Sequence, residues 1–365
     1  MGRVIEKQKN IQIEVVRIIA MFMIVLGHAF THGNATESIR GAEYNYLATA
    51  FETFSVSGTD IFVLISGYFM VRSKASIKRI ITVWFQILFY SLSLYLLTTL
   101  SGLNSFSVID FVKAVLPVSS NQYWFMRVYL YMLLCAPFLN VLLNHLNQQG
   151  HQLLISLGII LMVIPASIPG ITTFNSEAGN GILWFFMLYL TGAYFSKYPP
   201  QHKASQYCIT AVSMFLTAFL SRLVIARVST LLGFAGMGEN RFSTFDAFPI
   251  YIEACCILCA GIKLSQKSVS NEKINKAVLF FSSSTAGVYM IHEHPVVRRI
   301  IWNKLNLDCY PAIYAFGAAI IIFAVCTIID KITWKKCLPY VSKIQTKHID
   351  EIIQRSFDDK GESII

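Results

Sequence analysis

Charged side chains are scarce in this chain of 365 residues. Asp, Glu, Lys and Arg together make up 14% of it, whereas hydrophobic residues make up 55%, and the mean hydropathy is +0.55. Apolar runs long enough to cross a bilayer recur from end to end, separated by short polar loops. This composition excludes an ordinary soluble protein. We predict an all-α, multi-span membrane protein.

A cleavable signal peptide and internal repeats are also missing. The first apolar run is too long for a signal peptide, contains Arg17 and is not followed by a small-residue cleavage site, so we expect it to stay as the first span. No repeat or low-complexity segment divides the chain. The sequence therefore predicts one transmembrane domain over residues 1–335 and a polar cytoplasmic tail over residues 336–365.

The eight cysteines provide no disulfide framework, because six of them lie in apolar runs where thiols pack as small hydrophobic groups. Cys255, Cys256 and Cys259 are clustered, but no histidine is near them in the sequence, so we predict no metal site there. The glycine-rich stretch within residues 228–246 matches no phosphate-binding pattern.

The net charge of +10 is explained by membrane orientation. We predict about ten spans, at residues 11–31, 52–71, 79–101, 123–146, 152–168, 182–197, 207–226, 247–264, 277–297 and 311–333. With the N-terminus in the cytoplasm, 20 of the 30 Lys and Arg lie in inner segments and seven in outer ones. This bias places both the N-terminus and the C-terminus in the cytoplasm, and no nucleic-acid partner is needed.

The first span carries a polar stripe that predicts a functional site. Arg17 and His28 are eleven residues apart, which is about three helical turns, so they share one face roughly 16 Å apart along the axis. Glu14 lies one turn below Arg17, where an ion pair can form. A lone His28 at a helix end is also typical of the membrane surface. A charge inside a span is costly, however, and usually faces a polar interior, which favours a site.

Three further polar side chains interrupt apolar spans. Asp60 is either an interfacial acid or a buried carboxylate paired with an arginine. Ser66 precedes a glycine, a pattern typical of closely packed helices. Glu253 lies in the eighth span.

The fourth span begins with aromatic residues beside a cation. Tyr123 and Trp124 are typical of an interfacial aromatic belt. Arg127 lies one turn inside the same helix, however, and a guanidinium beside aromatic rings can also hold a sugar ring or an anionic group.

The ninth span ends with His292, Glu293 and His294. These residues stand about 22 Å above the inner face by helical rise, at a height similar to that of His28. The His-x-His pattern can indicate a metal site, but further ligands are missing from the sequence nearby, so we predict none.

Four segments, taken in order, resemble the acyltransferase-3 family. They are the arginine and histidine spaced as in Arg17 and His28, GTDIFVLISGYFM at residues 58–70, YWFMRVYLYMLLCAPFLN at residues 123–140, and GVYMIHEHP at residues 287–295. The resemblance covers about residues 11–335. It implies a stand-alone, multi-pass enzyme of the bacterial cytoplasmic membrane that O-acylates an extracytoplasmic or lipid-linked glycan with a cytoplasmic acyl-CoA.

The resemblance also implies roles for the stripe. A sugar hydroxyl is a poor nucleophile, so a base with a pKa near 7 is needed, and we expect His28 to serve. Arg17 would bind acetyl-CoA by its phosphate or pantetheine part, and Glu14 would orient Arg17. His28 can instead carry the acetyl group covalently, and both routes remain open.

The remaining expectations concern the acceptor and the alternatives to an enzyme. Expected substrate-binding residues are Asp60, Ser66, Tyr123, Trp124, Arg127, Glu253 and His292. The expected partners are a glycan or lipid-linked saccharide and membrane lipids, without a metal or nucleic acid. A polytopic transporter or flippase also places Arg, His and Glu inside spans, but the spans show no paired halves with broken helices. A sensor or structural membrane protein is a third reading.

Overall fold

The computed structural model is almost entirely helical. Helix accounts for 82% of it, and the described residues contain no strand, which confirms the all-α class. The structure describes residues 10–33, 46–73, 76–168, 174, 177–233, 238, 240–266, 271–307, 311–346 and 348–352.

The helices of the described residues are numbered in chain order. They are α1 Ile11–Thr31, α2 Tyr46–Met70, α3 Ile77–Leu100, α4 Val108–Val115, α5 Trp124–His145, α6 Gln148–Ala166, α7 Ile182–Lys197, α8 Ala204–Leu231, α9 Phe248–Ser265, α10 Glu272–Ser282, α11 Thr285–His292, α12 Pro295–Leu305, α13 Ala312–Ile332 and α14 Trp334–Val341.

Eight helical segments in the described part of the chain are long and apolar enough to cross a membrane: α1, α2, α3, α5, α6, α8, the segment containing α9, and α13. The predicted span at residues 182–197 is α7, whose 16 residues extend only about 24 Å. Most of α7 is nevertheless buried in the bundle. The protein therefore has many membrane-spanning helices, while the count of ten and the sides of the termini stay predictions.

The predicted span at residues 277–297 is not one continuous helix. This segment forms α10, α11 and α12, with breaks after Ser282 and after His292. At the first break, side-chain oxygens of Ser283 and Thr285 bond to backbone carbonyls, a local alternative to the helical ladder. At the second break, Pro295 opens α12 and disfavours helical geometry at the preceding residue. The chain therefore turns at the histidine cluster.

Helices α1, α2 and α9 form the centre of the bundle. In the 18-residue apolar stretch of α1, 61% of the residues are buried inside the protein. In the corresponding stretch of α8 only 17% are buried, so α8 lies at the periphery. Gly58 of α2 approaches α1 so closely that an added Cβ would lie 2.7 Å from the Ala20 carbonyl oxygen and 2.9 Å from Met23 Cβ. The stripe-bearing helix is therefore held on several sides.

Small residues also bring α2 and α7 into backbone contact. A Cβ on Gly67 would collide with the Tyr189 backbone, and a Cβ on Gly192 would collide with the Leu64 backbone. The sequence pattern that includes Ser66 therefore marks a close helix crossing, as predicted.

The described part of the C-terminal region is packed against the bundle. Trp334 of α14 is buried, and its ring centroid lies 5.5 Å from that of Phe89 on α3. The backbone N–H of Ile77 donates a hydrogen bond of 2.7 Å to Asp350 Oδ1. Residues 353–365 lie outside the described residues. The domain boundary near residue 335 and the cytoplasmic location of the tail stay predictions.

Candidate active site

His28 contacts His292 directly, which joins the ends of α1 and α11. The His28 Nδ1 and His292 Nε2 atoms are 2.8 Å apart, and His292 Nδ1 lies 2.6 Å from the Val288 carbonyl oxygen. A carbonyl only accepts, so His292 Nδ1–H donates to Val288. In a neutral His292 the Nε2 atom is then bare, and it accepts from His28 Nδ1–H. This network leaves a lone pair on His28 Nε2, as a base requires.

Glu293 links His28 to His32 and Arg298. Its Oε1 atom lies 3.3 Å from His28 Nδ1 and 3.3 Å from His32 Nε2, and its Oε2 atom accepts from Arg298 Nη1 at 3.2 Å. The Glu293 side chain is buried. A buried carboxylate beside the protonated nitrogen of an imidazole holds the ring in one orientation and stabilises the imidazolium that forms when the ring takes up a proton.

The same three side chains bring potential metal ligands together. One ligand atom each from His28, His292 and Glu293 lies within 4.8 Å of the others. Two nitrogens bound to one tetrahedral zinc at 2.0–2.1 Å would be about 3.3 Å apart. The observed 2.8 Å between the two imidazoles therefore fits a hydrogen bond better than shared coordination. That the site works without a metal stays a prediction.

His294 does not join His292, although the two are separated by one residue. His294 lies at the N-cap of α12, and its Nε2 atom is 3.2 Å from the Ser91 carbonyl oxygen. The helix break after His292 separates the two imidazoles of the His-x-His pattern. His294 therefore lies outside the group formed by His28, His292 and Glu293.

Aromatic side chains line the site on the side of α5. The Tyr289 ring centroid is 6.2 Å from that of His28 and 5.6 Å from that of Phe125. Tyr123 packs 6.4 Å from Tyr289, so it lies beside the catalytic candidates. Trp124 faces away toward Phe245, at 6.0 Å.

The N-terminal end of the stripe contains the expected ion pair. Arg17 Nε lies 3.6 Å from Glu14 Oε2, and the Arg17 guanidinium carbon is 5.9 Å from the centre of the Phe69 ring on α2. The Arg17 side chain is 27% exposed. Because Arg17 is neither sealed in the core nor fully solvated, its guanidinium remains able to bind an anion.

Ser66 lies at a contact between α2 and α5, and Arg127 lies in the first turn of α5. The Ser66 hydroxyl donates to the Phe62 carbonyl oxygen and lies 3.1 Å from the Tyr129 hydroxyl. The buried Nε atom of Arg127 has no hydrogen-bond partner among the described residues.

Asp60 and Glu253 lie away from the His28 contacts. Asp60 is fully buried, which rules out an interfacial acid, and the bond to its Oδ1 comes from Trp184 Nε1 at 3.0 Å. The described residues show no arginine partner for it. Glu253 lies in the wall of an apolar cavity of about 400 Å³ that includes Gln12 and Phe215. The structure therefore does not bring either acid to the contact between His28 and His292.

Sequence reasoning missed three contributors to the site. In the sequence, Glu293 stands out only as part of the His-Glu-His pattern. Its bridging role depends on the helix break after His292, which the sequence pattern does not show. His32 lies one turn beyond His28, and this spacing of four residues was an available signal. Tyr289 stands three residues before His292, so a helical turn places both on one face.

A comparison with known protein families identifies the class of protein to which this chain belongs. The model of the acyltransferase-3 family, described as an acyltransferase domain, matches residues 10–331. The chain therefore belongs to this family, and it is a multi-pass membrane acyltransferase. No curated protein and no solved structure matches it.

Proposed function

We propose that this protein is an O-acetyltransferase of the bacterial cytoplasmic membrane, which moves an acetyl group from cytoplasmic acetyl-CoA to a hydroxyl of an extracytoplasmic or lipid-linked glycan. The observation that carries the proposal is the hydrogen bond between His28 and His292, because it leaves the His28 Nε2 lone pair available as a base. Membership of an acyltransferase family supports the reaction type.

In the proposed reaction, His28 Nε2 removes the proton of the glycan hydroxyl. The hydroxyl oxygen attacks the thioester carbonyl carbon and forms the new C–O bond. The C–S bond then breaks, and the thiolate sulfur takes the proton from His28 Nε2. During the step the imidazolium of His28 is stabilised by the Glu293 carboxylate, 3.3 Å from its Nδ1 atom.

Arg17 and His28 mark the two ends of the proposed donor path. Eleven residues of helix separate them by about 16 Å, so one donor must be extended to reach both. Acetyl-CoA meets this requirement, since its thioester lies at the end of a long arm that begins at its phosphates. We assign Arg17 to the phosphate or pantetheine part and Glu14 to holding the guanidinium, across 3.6 Å.

The acceptor is assigned to the side of His28 that faces α5. Tyr123 lies in this aromatic surface, with Trp124 and Arg127 in the first turn of the same helix. Aromatic rings beside a guanidinium suit a sugar ring, and an acidic sugar in particular. Ser66 lies on α2, where its hydroxyl contacts that of Tyr129. We assign Ser66 to the arm of the donor.

The experiment uses the purified full-length protein in lipid nanodiscs, where both faces are accessible. Radiolabelled acetyl-CoA is supplied with surface glycan from which ester-linked acetyl groups have been removed by mild alkali. We expect label to enter the glycan with the wild type and a loss of at least about 100-fold with His28→Ala.

The matched control is His145→Ala, which removes an exposed histidine at the end of α5. This variant should keep the wild-type rate. Full activity of His28→Ala at normal membrane levels contradicts the assignment of His28. Uptake of glycan into sealed vesicles that contain the protein, without covalent labelling, would favour a transporter instead.

A further inference from the structure

Two buried tyrosine hydroxyls near the His28 site donate a hydrogen bond to no acceptor among the described residues. The hydroxyls belong to Tyr123 and Tyr289, whose side chains are 2% and 3% exposed. Buried tyrosine hydroxyls usually find a partner, and an unsatisfied one is costly. Two such tyrosines packed against each other indicate a place for a ligand group that accepts hydrogen bonds.

The two tyrosine rings lie close to His28 and His292, the proposed centre of the reaction. The Tyr289 ring centroid lies 6.2 Å from that of His28 and 6.0 Å from that of His292, and the Tyr123 ring lies 6.4 Å from Tyr289. Tyr289 therefore lies against the proposed base, and Tyr123 packs against Tyr289. Tyr123 is also the N-cap residue of α5.

The helix end next to Tyr289 prepares its hydroxyl to donate. The backbone N–H of Phe125, in the first turn of α5, faces the Tyr289 hydroxyl oxygen. Backbone N–H groups of a first helical turn lack partners within the helix and carry partial positive charge. A hydroxyl whose oxygen faces such an N–H group points its own hydrogen elsewhere. The partial positive charge of the N–H group also makes the hydroxyl a stronger hydrogen-bond donor.

We propose that the Tyr289 hydroxyl, assisted by that of Tyr123, forms the oxyanion hole of the acyl transfer. This inference rests on the proposed function. When the glycan oxygen adds to the thioester carbon, the carbonyl π electrons move to oxygen and create a negative charge. Tyr289 donates its hydrogen bond to that oxygen without losing its proton. When the C–S bond breaks, the electrons return to re-form the C=O bond and the hydrogen bond weakens.

The test is Tyr289→Phe, which keeps the ring against His28 and removes only the hydroxyl. The nanodisc assay should show a maximal rate lower by about 100- to 1,000-fold, with the KM for acetyl-CoA changed less than about threefold. Tyr123→Phe should lower the maximal rate less strongly, by about 10-fold. Tyr95→Phe is the control, because Tyr95 is equally buried but bonds to the backbone of Ser107 in the outer connection, at 2.8 Å. It should keep the wild-type rate.

Three outcomes would overturn the inference. An unchanged maximal rate in Tyr289→Phe removes the oxyanion role. A rate that returns to the wild-type value when more deacetylated glycan is added shows that the hydroxyl binds the acceptor instead. If Tyr289→Phe fails to accumulate in the membrane, an unchanged rate in Tyr123→Phe decides against the pair.

The inference and the proposed function fail in different ways. Loss of activity in His28→Ala together with full activity in Tyr289→Phe rejects only the oxyanion hole. Full activity in His28→Ala rejects the proposed base, whatever the tyrosine variants do.

Discussion

His28 Nδ1 lies 2.8 Å from His292 Nε2, although the two residues are 264 positions apart in the chain. This contact connects the first span to the broken segment that replaces the predicted ninth span. It selects the tautomer of His28 only because His292 is itself fixed by the Val288 carbonyl oxygen. A backbone carbonyl on α11 therefore determines which nitrogen of His28 can act as a base.

The first prediction concerns this orientation. His292→Ala should lower the maximal rate by about 10- to 100-fold, because His28 loses the acceptor that selects its tautomer. Glu293→Gln should have an effect of similar size, since the amide keeps the shape and removes the charge. The double variant should be less impaired than the two separate losses predict, because both residues act through His28. Additive losses in the nanodisc assay would show that they act independently.

Arg17 is predicted to act on the donor. Arg17→Ala should raise the KM for acetyl-CoA by about 10-fold or more while changing the response to glycan concentration much less, because only the donor reaches this end of α1. Arg17→Lys should recover part of the loss, since it restores the charge without the planar fork. Arg227→Ala removes an exposed guanidinium on peripheral α8 and serves as the control. An unchanged KM for acetyl-CoA in Arg17→Ala would argue against the assignment.

The covalent route through His28 predicts a trapped intermediate. If His28 Nε2 attacks the thioester itself, incubation with radiolabelled acetyl-CoA and no glycan should leave label on the protein. We expect direct transfer, because the bond to His292 leaves the His28 Nε2 lone pair free to act as a base. Rapid quenching followed by mass spectrometry of the peptide containing His28 measures this. An acetylated His28 that transfers its group to added glycan would establish the covalent route.

The α2–α7 crossing should be sensitive to a single methyl group. A Cβ on Gly192 meets the Leu64 backbone, which cannot move aside as a side chain can, so Gly192→Ala should destabilise the protein by about 1–3 kcal/mol. Gly317→Ala provides the matched control, since a Cβ there meets nothing within 4 Å. It should be neutral or stabilising by up to about 1 kcal/mol. Thermal unfolding in detergent compares the two, and equal melting temperatures would contradict the close crossing.

The charge bias predicts that both ends of the chain are cytoplasmic. A fluorescent protein that matures only in the cytoplasm should be bright at either end, and alkaline phosphatase, which is active only outside, should be inactive there. A reporter inserted beside Lys113, in the predicted outer connection between α3 and α5, should give the opposite result. Opposite signals from the two termini would require an odd number of spans.

The sequence by itself determined the membrane class, the helical fold and the placement of Glu14, Arg17 and His28 on one helix, α1. Long apolar runs require helices in lipid, where every backbone polar group must be satisfied within the segment. The spacing of Arg17 and His28 placed them on one face because helical periodicity is local. The Glu14–Arg17 ion pair followed from the same periodicity, and the structure contains it.

Only the tertiary structure decided which distant residues meet. Hydropathy reads residues 277–297 as one span, but serine and proline breaks turn His292 and Glu293 toward His28 and separate His294 from them. Asp60 looked suited to an arginine, yet its bond comes from the Trp184 indole on α7. Glu253 resembled a site acid, yet it lies beside an apolar cavity. These contacts depend on how helices remote in sequence pack together, and a periodic pattern within one helix carries no information about its neighbour.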